Sequence, residues 1–113
     1  MRVDLFAGIA VTDRTSAIAW YGRLFGRQPS FLPNASEAVW ELAENRYVFI
    51  EVRPEHAGHA RHLLFVDDLD ALVLAIAGRG IEPLERETMA NGVRKVSYQD
   101  PDGNRFEFGG QTT

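Results

Sequence analysis

The chain has 113 residues, 45% hydrophobic and 25% charged, enough for one compact domain and too few for two. It contains no cysteine, which excludes disulfides, thiolate zinc sites, iron–sulfur clusters and a cysteine nucleophile. A net charge of −4 with no Lys/Arg cluster argues against nucleic acid and anionic membranes as partners. The longest strongly apolar stretch, Ala71 to Ala77, falls far short of the roughly 18–20 residues that span a bilayer. The opening Met1-Arg2-Val3-Asp4 carries no signal-peptide pattern, so a cytoplasmic protein is expected.

Taken in chain order, Arg2 to Thr12 reads as a strand, and Thr12-Asp13 supplies a helix N-cap. Ile18, Tyr21, Leu24 and Phe25 then recur at helical spacing, and Gly26 stands where a left-handed C-cap belongs. Short strands are expected near 28–32, 38–43 and 47–52, with turns at Pro33-Asn34 and Glu44-Asn45. A linker with Pro54 and Gly58 follows. The same order then returns: a strand at 62–66, a cap at Asp67-Asp68, and a helix with Leu69, Leu72, Val73 and Ile76 on one face. Gly78 and Gly80 end that helix, and strands are expected near 81–86, 93–99 and 105–108.

The chain is therefore a β-α-β-β-β unit written twice, as modules of about 2–53 and 60–110 within one domain spanning 1–113. The repeat can be counted. Val11-Thr12-Asp13 matches Val66-Asp67-Asp68 at an offset of 55, which sets Phe6 against Arg61. Ile50-Glu51-Val52 matches Phe106-Glu107-Phe108 at an offset of 56. The expected fold class is α+β, two βαβββ modules forming a curved mixed β-sheet around a central cleft.

Strand alternation places side chains. In Phe106-Glu107-Phe108 the aromatics share the helix-packed face, so Glu107 points to the opposite, concave side. Glu51 does the same between Ile50 and Val52. Along 95–99, Val96 and Tyr98 suit the helix side, which leaves Lys95, Ser97 and Gln99 on the concave side. The plainer reading of such carboxylates is a solvated rim.

These residues also carry a resemblance. Val11-Thr12-Asp13, Ala19-Trp20-Tyr21 and Leu24-Phe25-Gly26 resemble the opening signature of the vicinal oxygen chelate superfamily, which includes glyoxalase I, extradiol dioxygenases, and bleomycin- and fosfomycin-resistance proteins. Asp100-Pro101-Asp102-Gly103-Asn104 with Phe106-Glu107-Phe108 resembles its closing signature. The resemblance implies a divalent-metal site built from the first and last strands of both modules, with histidines at the positions of Phe6 and Arg61 and carboxylates at Glu51 and Glu107. Phe6 cannot ligate and Arg61 is itself a cation. Two carboxylates without imidazole are a poor set for zinc, nickel or iron(II).

The resulting expectation is a small-molecule-binding protein of the glyoxalase/bleomycin-resistance type, metal-independent and without a cofactor. Its small organic ligand would lie in the cleft between the modules, among Phe6, Glu51, Arg61, Lys95, Ser97 and Glu107, with Arg61 bridging Glu51 and Glu107 in place of a metal. The polar strand residues Lys95 and Ser97 enter this set because fosfomycin-resistance relatives use that strand for ligand contacts. The alternative is a metal-dependent lyase, isomerase or dioxygenase. It would hold one divalent metal on Glu51, His62 and Glu107, with a one-residue slip turning His62 inward. The run His56, His59, His62 lies in and beside a polar linker and reads as solvated rather than ligating. A homodimer is also expected, with Trp20, Trp40 and Phe31 as candidate contacts.

Overall fold

The computed structural model describes residues 1–111. The elements are β1 (Leu5–Val11), α1 (Arg14–Phe25), β2 (Glu37–Ala43), β3 (Arg46–Val52), a 3-10 turn (Pro54–His56), β4 (Arg61–Phe65), α2 (Leu69–Gly78), β5 (Glu85–Thr88), β6 (Val93–Gln99) and β7 (Arg105–Gln111). They form an α+β fold of two modules with two separate sheets, ordered β1-β3-β2 and β4-β7-β6-β5. In each module the first strand runs parallel to the last, β1 beside β3 and β4 beside β7, and the remaining neighbours are antiparallel. The helix after each first strand supplies the crossover that parallel pairing requires.

Local chemistry fixes the helix ends. Asp13 accepts a hydrogen bond from the Ser16 amide at 2.9 Å, and Asp68 accepts one from the Ala71 amide at 3.1 Å. Gly26, at φ 72°, closes α1 in the left-handed conformation and donates its N–H to the Gly22 carbonyl at 2.9 Å.

Two strands differ from expectation, both because of proline. The stretch 28–32 makes only a single bridge, Phe31 with Val39, since Pro29 has no N–H for a ladder and Pro33 closes the run. The strand expected at 81–86 begins only at Glu85. Pro83 interrupts it, and Ile81 instead donates to the Ile76 carbonyl and packs in the core.

One core serves both modules. Ile9, Val11, Val48 and Ile50 from the first sheet join Val96, Tyr98, Phe106 and Phe108 from the second, with Tyr21, Leu24, Leu69 and Ile76 from the helices. Phe25 of α1 meets Phe106 of β7 edge to face at 5.2 Å, so α1 is a packing layer for both sheets. Trp20 and Trp40 are also buried here, and Trp40 donates its indole N–H to the Arg27 carbonyl at 3.0 Å. They are core residues and not the surface contacts expected of them, because α1 buries Ala17, Trp20, Tyr21 and Leu24 between the two sheets. Phe31 stays exposed.

The turn 100–104 latches the modules together. Buried Asn104 accepts from the Gly58 and Ala60 amides and donates to the Ala10 carbonyl and the Asp100 carboxylate, at 2.8–3.0 Å. Asp102 accepts from the Thr12 amide and hydroxyl at 3.0 and 2.7 Å, and the Tyr21 hydroxyl donates to Asp100 at 2.7 Å. Because the shared core takes the helix-packed side of both sheets, the other face of each sheet is directed away from it.

Candidate functional site

The outward face of the second sheet carries a polar cluster centred on Glu107. Alternation along β4 sends Arg61, Leu63 and Phe65 outward, and register sets them beside Arg105, Glu107 and Gly109 of β7. On the far side of β7, Ser97 stands opposite Glu107 and Lys95 opposite Gly109. Beyond them, Glu85 and Glu87 of β5 face Ser97 and Lys95.

Glu107 is the centre of this arrangement and only 2% exposed. Arg61 grips it side-on, Nε to Oε1 at 3.0 Å and Nη2 to Oε2 at 3.1 Å, and the Ser97 hydroxyl donates to Oε2 at 2.7 Å. Burial pushes the Glu107 carboxyl up, but the Arg61 and Ser97 hydrogen bonds and the Lys95 charge outweigh it and hold the group below the ordinary glutamate value. Glu107 is therefore ionised and fully engaged at neutral pH. Two further pairs flank it, Lys95 with Glu87 at 3.4 Å and Arg105 with Glu85 at 3.2 Å.

The outward face of the first sheet is more apolar. Phe6 stacks on Tyr47 at 4.3 Å with a 5° interplanar angle, and Phe49 covers Gly8. Glu51 pairs with Arg53 at 3.3 Å.

The structure therefore brings together four of the sequence-predicted residues, Arg61, Lys95, Ser97 and Glu107, and sets the other two, Phe6 and Glu51, on the other sheet. Arg61 does not bridge Glu51 and Glu107, as the sequence reading expected, because the two outward faces diverge from the common core. His62 does not turn toward Glu107 either. It alternates with Arg61 onto the other side of β4, and its Nε2–H donates to the Gly8 carbonyl at 3.0 Å. Among the described residues, no three His, Asp or Glu side chains converge as a metal-binding set. Sequence reasoning missed Leu63 and Phe65, although the alternation that placed Arg61 outward places them on the same face.

Comparison with known proteins accounts for the fold. The family model of the Glyoxalase/Bleomycin resistance protein/Dioxygenase superfamily matches residues 2–108, and the chain belongs to that superfamily. It is similar to a crystal structure of a glyoxalase/bleomycin resistance protein from Catenulispora acidiphila, at 51% identity and TM-score 0.94, covering 98% of this chain and 100% of that one. A bleomycin-binding protein complexed with bleomycin shares the fold at 18% identity and TM-score 0.78, with 99% and 100% coverage. So does a lactoylglutathione lyase from Agrobacterium tumefaciens, at 18% identity and TM-score 0.73, with 94% and 91% coverage. Comparison with curated proteins returned no match. Among the described residues, no helix is long and apolar enough to cross a membrane.

The metal that the family implies does not fit this donor set. Phe6 offers no donor atom, and Arg61 brings a positive charge to the place of a ligand. Both oxygens of Glu107 are already taken by hydrogen bonds.

Proposed function

We propose that this protein binds a small organic molecule without a metal, at a cleft completed when the outward faces of two copies meet. The observation that carries the reading is the Arg61 fork on buried Glu107. A guanidinium held there supplies fixed positive charge where a metal would otherwise supply it. The bleomycin-binding relative supports an organic ligand over a polymer or a membrane surface. Glu107, ionised and with its oxygens engaged, has no free capacity to act as a general acid or base, which favours binding over turnover.

The second copy answers a surface problem. Phe6, Leu63 and Phe65 are each about half exposed on the two outward faces. Apolar surface of that kind on a small domain marks a contact or ligand site. A homodimer that sets the first face of one copy against the second face of the other would bring Phe6 and Glu51 to Arg61 and Glu107, the set that the sequence repeat groups together.

The test has three readouts on the intact protein. Sedimentation at tens of micromolar, an order-of-magnitude choice above typical dimer constants, is expected to show a dimer. Elemental analysis is expected to find well under one transition metal per chain. A thermal-shift screen of small organic compounds is expected to find stabilising ligands whose effect survives a chelator. Ligand binding that disappears with chelator and returns with a divalent metal would overturn the reading.

A further inference from the structure

We infer that the outward face of the second sheet takes a planar aromatic monocarboxylate, its ring stacked on Phe65 and its carboxylate on the free edge of Arg61. This rests on the small-molecule reading above and gives it a ligand class.

The platform is visible in how Phe65 lies. A Cβ built on Gly109 would sit 2.8 Å from Phe65 Cε1 and 3.1 Å from both neighbouring ring carbons, Cδ1 and Cζ. A point directly above a ring atom sees those distances, whereas a point beyond the ring edge would be much farther from the two neighbours. The ring therefore lies flat on the glycine backbone with one face against the sheet. Its other face is outward, and the residue is 56% exposed. A flat, half-exposed ring offers a stacking surface that saturated hydrocarbon cannot match in geometry.

The anchor is set beside it. Arg61 uses Nε and Nη2 on Glu107, and Nη1 makes no hydrogen bond among the described residues, with Glu85 and Glu87 acting on the guanidinium only at longer range. Arg61 stands opposite Arg105 and reaches along the strands to Glu107, and Glu107 lies two residues, roughly 7 Å, from the Gly109 that carries the ring. That spacing equals a carboxylate bonded directly to an aromatic ring plus one ion-pair contact.

Charge then selects among anions. Arg61, Lys95 and Arg105 are matched by Glu107, Glu87 and Glu85, so the face is neutral before the ligand arrives. One negative charge can share the Arg61 edge. A dianion such as a phosphonate would meet three nearby carboxylates with no surplus cation to offset them.

Calorimetric titration with 2-naphthoate tests this, alongside its fully saturated decahydro analogue, neutral 2-naphthalenemethanol and naphthalene-2-phosphonate. In the wild-type protein 2-naphthoate is expected to bind roughly fivefold tighter than the saturated acid and at least about tenfold tighter than the neutral alcohol. Phe65→Leu keeps an apolar side chain at an exposed position, and is expected to bring the ratio of the aromatic to the saturated acid's affinity from roughly fivefold down to about one. Gly109→Ala, whose methyl displaces the ring, is expected to do the same. Equal affinity for the aromatic and saturated acids would overturn the platform yet leave the small-molecule reading intact. Tighter binding of the phosphonate would overturn the charge argument. Absence of binding by all four probes would overturn the ligand class, and the thermal-shift screen would still decide the broader reading by itself.

Discussion

The Arg61–Glu107 pair is lopsided, and that asymmetry makes it a sharp test of the site. Arg61 is 60% exposed at its side chain and Glu107 only 3%. Arg61→Met strands a carboxylate in a dry site with Ser97 as its remaining hydrogen-bond donor. Hydrogen bonds to a charged group contribute about 1.5–3 kcal/mol, and breaking a fully buried pair costs about 3–5. Because Arg61 reaches water, the lower range applies to the stranded Glu107. Glu107→Gln leaves the guanidinium behind instead, where water can solvate it and Ser97 can still donate to the amide oxygen. Its cost is expected to be less than half that of Arg61→Met. The double variant should regain most of the loss, since the uncompensated buried charge is then gone.

The pH dependence separates these cases further. In the wild type the folded Glu107 pKa lies below its unfolded value, so its contribution is present above the usual glutamate range and is lost as pH falls through the folded pKa. In Arg61→Met only Ser97 and Lys95 still oppose burial, so the carboxyl is expected to rise relative to the wild type. The variant's deficit should then be largest at neutral pH and shrink as acid protonates Glu107. Urea denaturation curves at pH 7 and pH 4.5 measure this directly. Equal costs for the two single variants, or a deficit independent of pH, would refute the placement of Glu107 as a buried, paired carboxylate.

Asn104→Ala removes partners of the Gly58 and Ala60 amides and the Ala10 carbonyl, and is expected to cost about 1–3 kcal/mol in urea denaturation by leaving these half-buried polar groups without a protein partner. Tyr98 is fully buried and its hydroxyl has no hydrogen-bond partner among the described residues, so Tyr98→Phe should be neutral or stabilising by thermal melt. Burial, with Asp100 adding, pushes the Tyr21 phenol far above its ordinary value. Its contribution is therefore complete below about pH 10 and lost as pH rises past the unfolded value, a decline that Tyr21→Phe should flatten.

Much of this protein is written locally in its sequence. Asp13, Asp68 and Gly26 set helix ends through hydrogen bonds and dihedrals spanning a few residues, and the structure keeps all three. Alternation within β6 and β7 put Lys95, Ser97 and Glu107 on one face, since pleating fixes the side of each residue relative to its neighbour. Arg61 followed from the module offset. Proline decided the two strand errors, and Pro29 and Pro83 were legible as well, because a missing N–H breaks a ladder wherever it falls. Which face of each sheet meets the other module was not legible. A module with one helix-packed side and one outward side shows the same periodicity whichever side its twin covers. Only the packed structure, with Phe25 against Phe106 and one core through both sheets, sends Glu51 and Glu107 to separate faces within the chain. Trp20 changed from surface candidate to core for the same reason. Helical spacing records one apolar stripe, while α1 is covered on one side by its own sheet, with Trp40 against Tyr21 and Phe25, and on another by the second module, as the Tyr21–Asp100 hydrogen bond shows with its separation of 79.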